Sequence, residues 1–447
     1  MKKYTIYLLF GSLFFSIFLS SCSQDDMYSC SKNENDEENI QPQLSEKRSL
    51  DEALSIVYDA INQRDSHSTR SDSKARKVKI FETKYITSDC TSKTRAANSI
   101  DTLMYAFNFE NNEGFALVTA DRHLEGLVAL TECGNYSTEI ESDVPAFGLY
   151  MNQVRDYIVN SEPIESVGNP PLDPVYEWKL EEDTTYYLYG PYVEMRWGQN
   201  APYNSSVPSP TIQRAGCAPI AIAQVMSFFE SPARMRMTFI SLFTVENIDW
   251  DVIKTHVSSE YFPSNNLNYC YCSNSASHQA IAHIVRQIGK YCDIDYSNGG
   301  VGFSKIGTAL DKLDYDFESC SMSGTTYNSN ISAARAGIRN QKLTILCGLS
   351  GSDGHAWVMD GYRARTIHSY EYRREVNTTQ WELYREYTSS TYYNHYNWGW
   401  NGACNGYFLD FELRNNYPYQ LDNGCGLVVD DYNFEDQIGM YYNIEPE

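Results

Sequence analysis

Residues 215–229 read Ala-Gly-Cys-Ala-Pro-Ile-Ala-Ile-Ala-Gln-Val-Met-Ser-Phe-Phe. From Ala218 onward the stretch is apolar on almost every side, which predicts a helix buried in the middle of a large domain rather than one lying on its surface. Pro219 suits a first helical turn, where backbone N–H groups have no intrahelical partner. Cys217 then falls at the helix N-terminus. The helix dipole and free N–H groups there favour a thiolate, the reactive form of cysteine. Ala215, Gly216 and Ala218 leave room beside it for a substrate carbonyl. A structural cysteine would suit such a helix equally well, so the reading depends on partners elsewhere in the chain.

Two such partners lie downstream. Ser350-Gly351-Ser352-Asp353-Gly354 leads His355 onto the apolar run Ala356-Trp357-Val358-Met359. That places an imidazole at a strand edge, where it can face a cleft; His395 is the competing histidine. Tyr396-Asn397-Trp398-Gly399-Trp400-Asn401-Gly402 follows. Asn397 can orient an imidazole through its side-chain carbonyl while Trp398 shields that bond from water; alternatively the segment is a Trp-rich turn closing a hairpin. Upstream, Trp197-Gly198-Gln199-Asn200 offers the Gln199 amide as an oxyanion donor beside the Cys217 N–H. The order Cys, His, Asn, with 138 residues from Cys217 to His355, matches papain-like proteases. Thiolate attack on an amide carbonyl gives a thioester, and the imidazolium protonates the leaving amine. No cofactor or metal is required. Cys270, Cys272 and His278 are too irregularly spaced to read as a metal site.

The 447 residues carry 35 Lys and Arg against 58 Asp and Glu, a net charge of −23 that argues against nucleic acid as a partner. Lys2 and Lys3 precede an apolar run over 6–19 and then Leu19-Ser20-Ser21-Cys22. The run is short for a bilayer span and reads as a signal peptide over 1–21. Leu-Ser-Ser-Cys resembles a bacterial lipobox, making Cys22 the lipidated first residue of the mature chain. The acidic, polar stretch 22–46 reads as a disordered tether. Ser49 and Glu52 form a capping-box pattern ahead of a helix over 49–63. Strands are predicted at Ile80–Ser88, Thr102–Phe109, Gly114–Thr119 and Gly126–Leu130, and a helix at Pro145–Val159. Residues 47–160 therefore read as a small α+β domain without chemistry of its own. Residues 161–190, Pro-interrupted and acidic, read as a linker, and 191–447 as the larger, chemistry-bearing domain.

Taken together, WGQNAPYN (197–204), AGCAPIAIAQVM (215–226), GHAWVMDGY (354–362) and HYNWGWNGACNGYF (395–408) resemble, in order, the signature blocks of the streptopain family of papain-fold cysteine proteases. IDYSNGGVG (294–302) resembles a weaker fifth block, and FNFENNEGFALVTAD (107–121) the strand-turn-strand of that family's pro-domain. The resemblance implies an α+β fold with a papain-like catalytic domain behind a small α+β pro-domain. It implies Cys217 as nucleophile, His355 as base and acid, and Gln199 as oxyanion donor. Asn397 takes the place of the third triad member, with Trp398 as a second candidate for orienting the histidine. The chain departs from the family pattern in Ala218-Pro219 after the cysteine and in Asn401 within the Trp-Gly-Trp block.

The expected protein is an exported, lipid-anchored cysteine endopeptidase made as a zymogen, held at the outer membrane or cell surface. Its catalytic domain is freed by cleavage between Glu162 and Tyr192. Its partners are protein or peptide substrates, its own pro-domain as an intramolecular inhibitor, and a membrane through the lipid. Alternatives are a non-catalytic surface protein for binding or inhibition on the same fold, and a Cys-His peptidoglycan amidase. The intact Cys, His, Gln and Asn set disfavours the first, and the pro-domain-like region the second.

Overall fold

The computed structural model describes residues 47–67, 79–87, 102–160, 176–207, 214–239, 242–255, 276–294, 296, 300–322, 327–350, 353–410 and 437–447. The expected leader, Cys22 and the tether lie outside these residues. No helix among those described is long and apolar enough to cross a membrane.

The N-terminal region follows its sequence pattern closely. Helix α1 (Leu50–His67) opens with the expected capping box: the Ser49 N–H donates to Glu52 Oε2 at 2.7 Å and the Glu52 N–H to Ser49 Oγ at 3.3 Å. Strands β1 (Ile80–Thr87), β2 (Thr102–Phe109), β3 (Phe115–Thr119) and β4 (Leu127–Thr131) form an antiparallel meander. A short helix, α2 (Thr138–Asp143), follows. It was not anticipated from the sequence and is capped by Ser137. Helix α3 (Pro145–Asn160) completes the region. Strands β3 and β4 are buried along their whole length. The reason is that α1 packs Ala53, Val57, Ala60 and Ile61 on one sheet face, while α3 places Phe147 and Met151 in the core on the other.

The rest of the chain adds β5 (Tyr176–Tyr189), α4 (Cys217–Phe229), β6 (Arg234–Phe239), β7 (Leu242–Asn247), α5 (Trp250–Lys254), α6 (Ala276–Tyr291) and α7 (Phe303–Asp311). Then come β8 (Tyr315–Met322), α8 (Tyr327–Arg339), β9 (Leu343–Ser350), β10 (Asp353–Glu375), β11 (Glu382–Asn397), β12 (Gly406–Leu409) and β13 (Gln437–Pro446). The helices and the antiparallel sheet give the α+β class expected. Helix α4 packs against β10 and α6 and is buried from Ala218 to Ser227, as its apolar composition requires.

Two features differ from the sequence expectation. First, the two expected regions share one 11-stranded sheet: ten strands in the order β1-β2-β3-β4-β12-β11-β10-β9-β13-β8, with β5 pairing with β10 off that path. Strand β4 pairs with β12 through Gly406–Thr131, Tyr407–Leu130 and Phe408–Ala129. Phe147 and Tyr150 of α3 meet the Phe408 ring edge-on at 6.1 and 4.9 Å. Second, residues 176–189 of the expected linker are a 14-residue strand. It pairs with β10 from Tyr189–Tyr362 to Tyr176–Glu375. Charged, half-exposed edge strands lack the apolar alternation that marks a strand in sequence. Residues 161–175 lie outside those described.

Candidate active site

Three segments build the site. The first is the α4 N-terminus. Gly216 caps it at φ 95°, a conformation that favours glycine, and a Cβ at that position would also come within 2.7 Å of Ile294 Cδ1. The second is the start of β10, where His355 pairs with Gly348 of β9. The third is the end of β11. Asn397 pairs with Val358, and the chain then turns so that Trp398 lies over the beginning of β10.

Cys217 and His355 come together here from 138 residues apart. The Cys217 thiol donates to the Gly354 carbonyl at 3.9 Å, directly beside His355. His355 is buried, and its Nε2 lies 2.9 Å from the Trp398 carbonyl oxygen. That oxygen can only accept, so Nε2 carries the hydrogen and Nδ1 keeps the lone pair. The imidazole plane lies near-parallel to the Trp357 and Trp400 indoles, at centroid distances of 6.1 and 6.2 Å. Arg214 lies over the Trp400 ring, 4.9 Å from its centroid.

The electrostatics describe a resting pair of neutral groups. Burial pushes the Cys217 thiol up, against the pull of the Ala356, Ala218 and Cys217 N–H groups and of the Arg214 charge. Burial pushes His355 down to about 4; the Trp398 carbonyl opposes this and Arg214 adds to it. A positive guanidinium beside both groups favours the thiolate and disfavours the imidazolium.

Asn397 requires a correction. Its side chain does not hold His355; that contact comes from the main-chain carbonyl of Trp398, the next residue. The Asn397 carboxamide donates to the Met195 carbonyl at 2.8 Å and accepts from Gln224 Nε2 at 3.0 Å and the Gly399 N–H at 3.3 Å. The alternation along β11 explains the difference, because consecutive residues face opposite ways and only the backbone of the following turn reaches the imidazole. Trp398 is locked in turn: its N–H donates to Asn405 Oδ1 at 3.1 Å and its indole N–H to the Cys404 carbonyl at 3.0 Å. Gln199 is buried, and its main-chain carbonyl accepts from the Ala215 N–H at 2.7 Å, which sets it beside the segment that leads into Cys217. His395, the competing histidine, is not at this site. Its Nδ1 lies 2.6 Å from Asp360 Oδ1 and its Nε2 3.7 Å from Glu132 Oε1, where the N-terminal region meets the larger one. Sequence reasoning gave no role to Arg214, Gln224 or Asn405. Gln224 left a signal, as a long polar side chain inside a helix with no polar face.

Residues 197–408 match the Peptidase C10 family, and residues 39–158 match the Spi protease inhibitor family. Streptopain of Streptococcus pyogenes is 21% identical over 355 residues, covering 72% of this chain and 77% of streptopain. Thiol protease/hemagglutinin PrtT of Porphyromonas gingivalis is 23% identical over 357 residues, covering 74% of this chain and 36% of that protein. Among solved structures, a Prevotella intermedia prointerpain A fragment superposes with a TM-score of 0.50 at 17% identity, covering 82% of this chain and 99% of the fragment. The fold is thus that of prointerpain A. The chain belongs to the Peptidase C10 family: it is a streptopain-like cysteine peptidase carrying an N-terminal Spi-type propeptide domain.

Proposed function

We propose that the protein is an exported, lipid-anchored endopeptidase made as a zymogen, with Cys217 as nucleophile and His355 as general base and acid. The observation that carries this reading is the His355 Nε2 contact with the Trp398 carbonyl, 2.9 Å away. It leaves Nδ1 as the free base on the ring next to Cys217. In the reaction, Nδ1 takes the thiol proton as Sγ bonds to the substrate carbonyl carbon. The Cys217 N–H and the Gln199 amide stabilise the oxyanion. Collapse breaks the C–N bond, and the imidazolium gives its proton to the leaving amine. Water then hydrolyses the thioester, with His355 again as base.

The N-terminal domain supplies latency. Its β4 extends the catalytic sheet at β12, and the Glu132 N–H donates to the Asn405 carbonyl at 2.9 Å. Asn405 in turn holds Trp398, so the propeptide domain touches the loop that orients His355. Maturation cuts between Glu162 and Tyr192, and the pairing of β5 with β10 favours a cut ahead of Tyr176 that leaves β5 on the enzyme. Cys22 carries the lipid. Mass spectrometry of the N-termini of the exported and processed forms, with casein hydrolysis by each, tests the proposal. A diacylated Cys22 and activity only after cleavage are expected. An unmodified Cys22 overturns the anchor, and full activity in the uncut chain overturns latency.

A further inference from the structure

Gln224 lies seven residues beyond Cys217, about two helical turns along α4. It has no exposed surface. Its Nε2 donates to Asn397 Oδ1 at 3.0 Å, with the Met195 and Trp197 carbonyls at 3.5 and 3.4 Å. Asn397 then grips the backbone on either side of Trp398. Its own main chain precedes that residue, and its Oδ1 accepts the N–H of Gly399, which follows it, at 3.3 Å. The Trp398 carbonyl is the group that receives the His355 Nε2 hydrogen. One buried pair of carboxamides therefore joins the helix that begins at Cys217 to the peptide that orients His355.

Packing alone does not account for an amide here. Gln224 Oε1 is buried without a hydrogen-bond partner among the described residues. Leaving such a group unsatisfied is destabilising, a penalty that an apolar side chain of the same length would avoid. What the amide provides is the contact made by Nε2.

We propose that Gln224 is a positioning residue for peptide hydrolysis: through Asn397 it fixes the Trp398 carbonyl against His355, in register with Cys217. The proposal rests on the reading of Cys217 and His355 as the reacting pair. Gln224 touches neither substrate nor reacting atom, so its effect falls on turnover rather than on substrate binding. The groups acting on the His355 charge are the Trp398 carbonyl, which supports the imidazolium, and the Arg214 guanidinium, which opposes it. A carbonyl that wanders withdraws the support and leaves the opposition in place.

The experiment compares wild type with Gln224→Met, Gln224→Asn, Asn397→Ala and the Gln224→Met/Asn397→Ala double variant. All are expressed as full chains and activated on immobilised protease. For Gln224→Met, kcat on a fluorogenic peptide is expected to fall about 100-fold, the scale of a misplacement near 1 Å, with KM unchanged. The acid limb of kcat/KM, which reports protonation of the His355 base, moves to lower pH. The double variant is no worse than Asn397→Ala, because both act through one carbonyl. A purely structural tie would lower the melting temperature while leaving the pH profile in place. Wild-type kcat and pH profile in Gln224→Met, or losses that multiply in the double variant, overturn the proposal. Should circular dichroism show Gln224→Met unfolded, Gln224→Asn carries the same readouts with its amide one methylene short. Cys217→Ala and His355→Ala run alongside. Turnover surviving in both overturns the reacting pair itself, whereas inactive controls beside an unaffected Gln224→Met overturn the role of Gln224 alone.

Discussion

Replacing Glu132 with glutamine tests how the propeptide domain is held on the enzyme. Glu132 follows β4 and is mostly buried. Its carboxylate lies 3.7 Å from His395 Nε2 and 3.5 Å from Arg196. Burial pushes this carboxyl up, but His395 and Arg196 outweigh burial and hold it at about 2. Burial likewise pushes the His395 imidazolium down, and Asp360 and Glu132 outweigh it and hold the group at about 9. The fall of Glu132 from 4.5 to about 2 corresponds, at about 1.4 kcal/mol per tenfold, to roughly 3 kcal/mol. The Glu132 contribution is complete above pH 4.5 and is lost as pH falls through about 2. The His395 contribution is complete below pH 6.5 and is lost as pH rises through about 9. The gap between wild type and Glu132→Gln should therefore be widest between those limits. The assay is urea unfolding of full-length chains in a Cys217→Ala background, which prevents self-digestion, at about pH 2, 6 and 10. A loss of roughly 3 kcal/mol at pH 6 that narrows at both extremes is expected. A pH-independent loss, or one that grows toward pH 10, would refute the reasoning.

Three further outcomes follow from the same geometry. Gly216→Ala should cost roughly 1–3 kcal/mol in unfolding experiments and lower turnover, because it forces a side chain into φ 95° and against Ile294. His355→Ala should cost on the order of 10²–10⁴-fold in kcat/KM with an unchanged melting curve, whereas His395→Ala should mainly lower stability; reversed effects would mean that the wrong histidine carries the chemistry. Tyr150→Phe removes the hydroxyl that reaches the Val128 and Leu409 carbonyls at 3.0 and 3.3 Å. It should destabilise the precursor by about 1 kcal/mol and leave the processed peptidase unchanged.

What the sequence revealed of this architecture was local. The capping box of α1 is a four-residue motif, strands β3 and β4 of the meander are short apolar runs and α4 is one continuous apolar stretch, so each can be read within its own segment. Cys217 could be singled out as the candidate nucleophile because a cysteine at the head of an apolar helix is an unusual combination, and His355 as its candidate partner because a glycine-rich loop precedes it. The role of Asn397 was misread because the group that meets His355 is a backbone carbonyl, which has no residue type to recognise. Strand β5 was missed because its stability comes from register with β10, a partner nearly 200 residues away, while its own composition is that of an exposed edge. The continuous sheet was hidden for the same reason: the pairing of β4 with β12 is a non-local contact between two segments that the sequence assigns to separate domains.

The most direct test of the account is to find where a thiol-directed peptidyl inhibitor, such as a vinyl sulfone, attaches to the activated enzyme. Intact mass and peptide mapping are compared between wild type, Cys217→Ala and His355→Ala. The account predicts one adduct per chain, on the peptide containing Cys217, formed slowly or not at all in His355→Ala and absent together with peptide hydrolysis in Cys217→Ala. An adduct on another cysteine, or peptide hydrolysis that survives in Cys217→Ala, would contradict it.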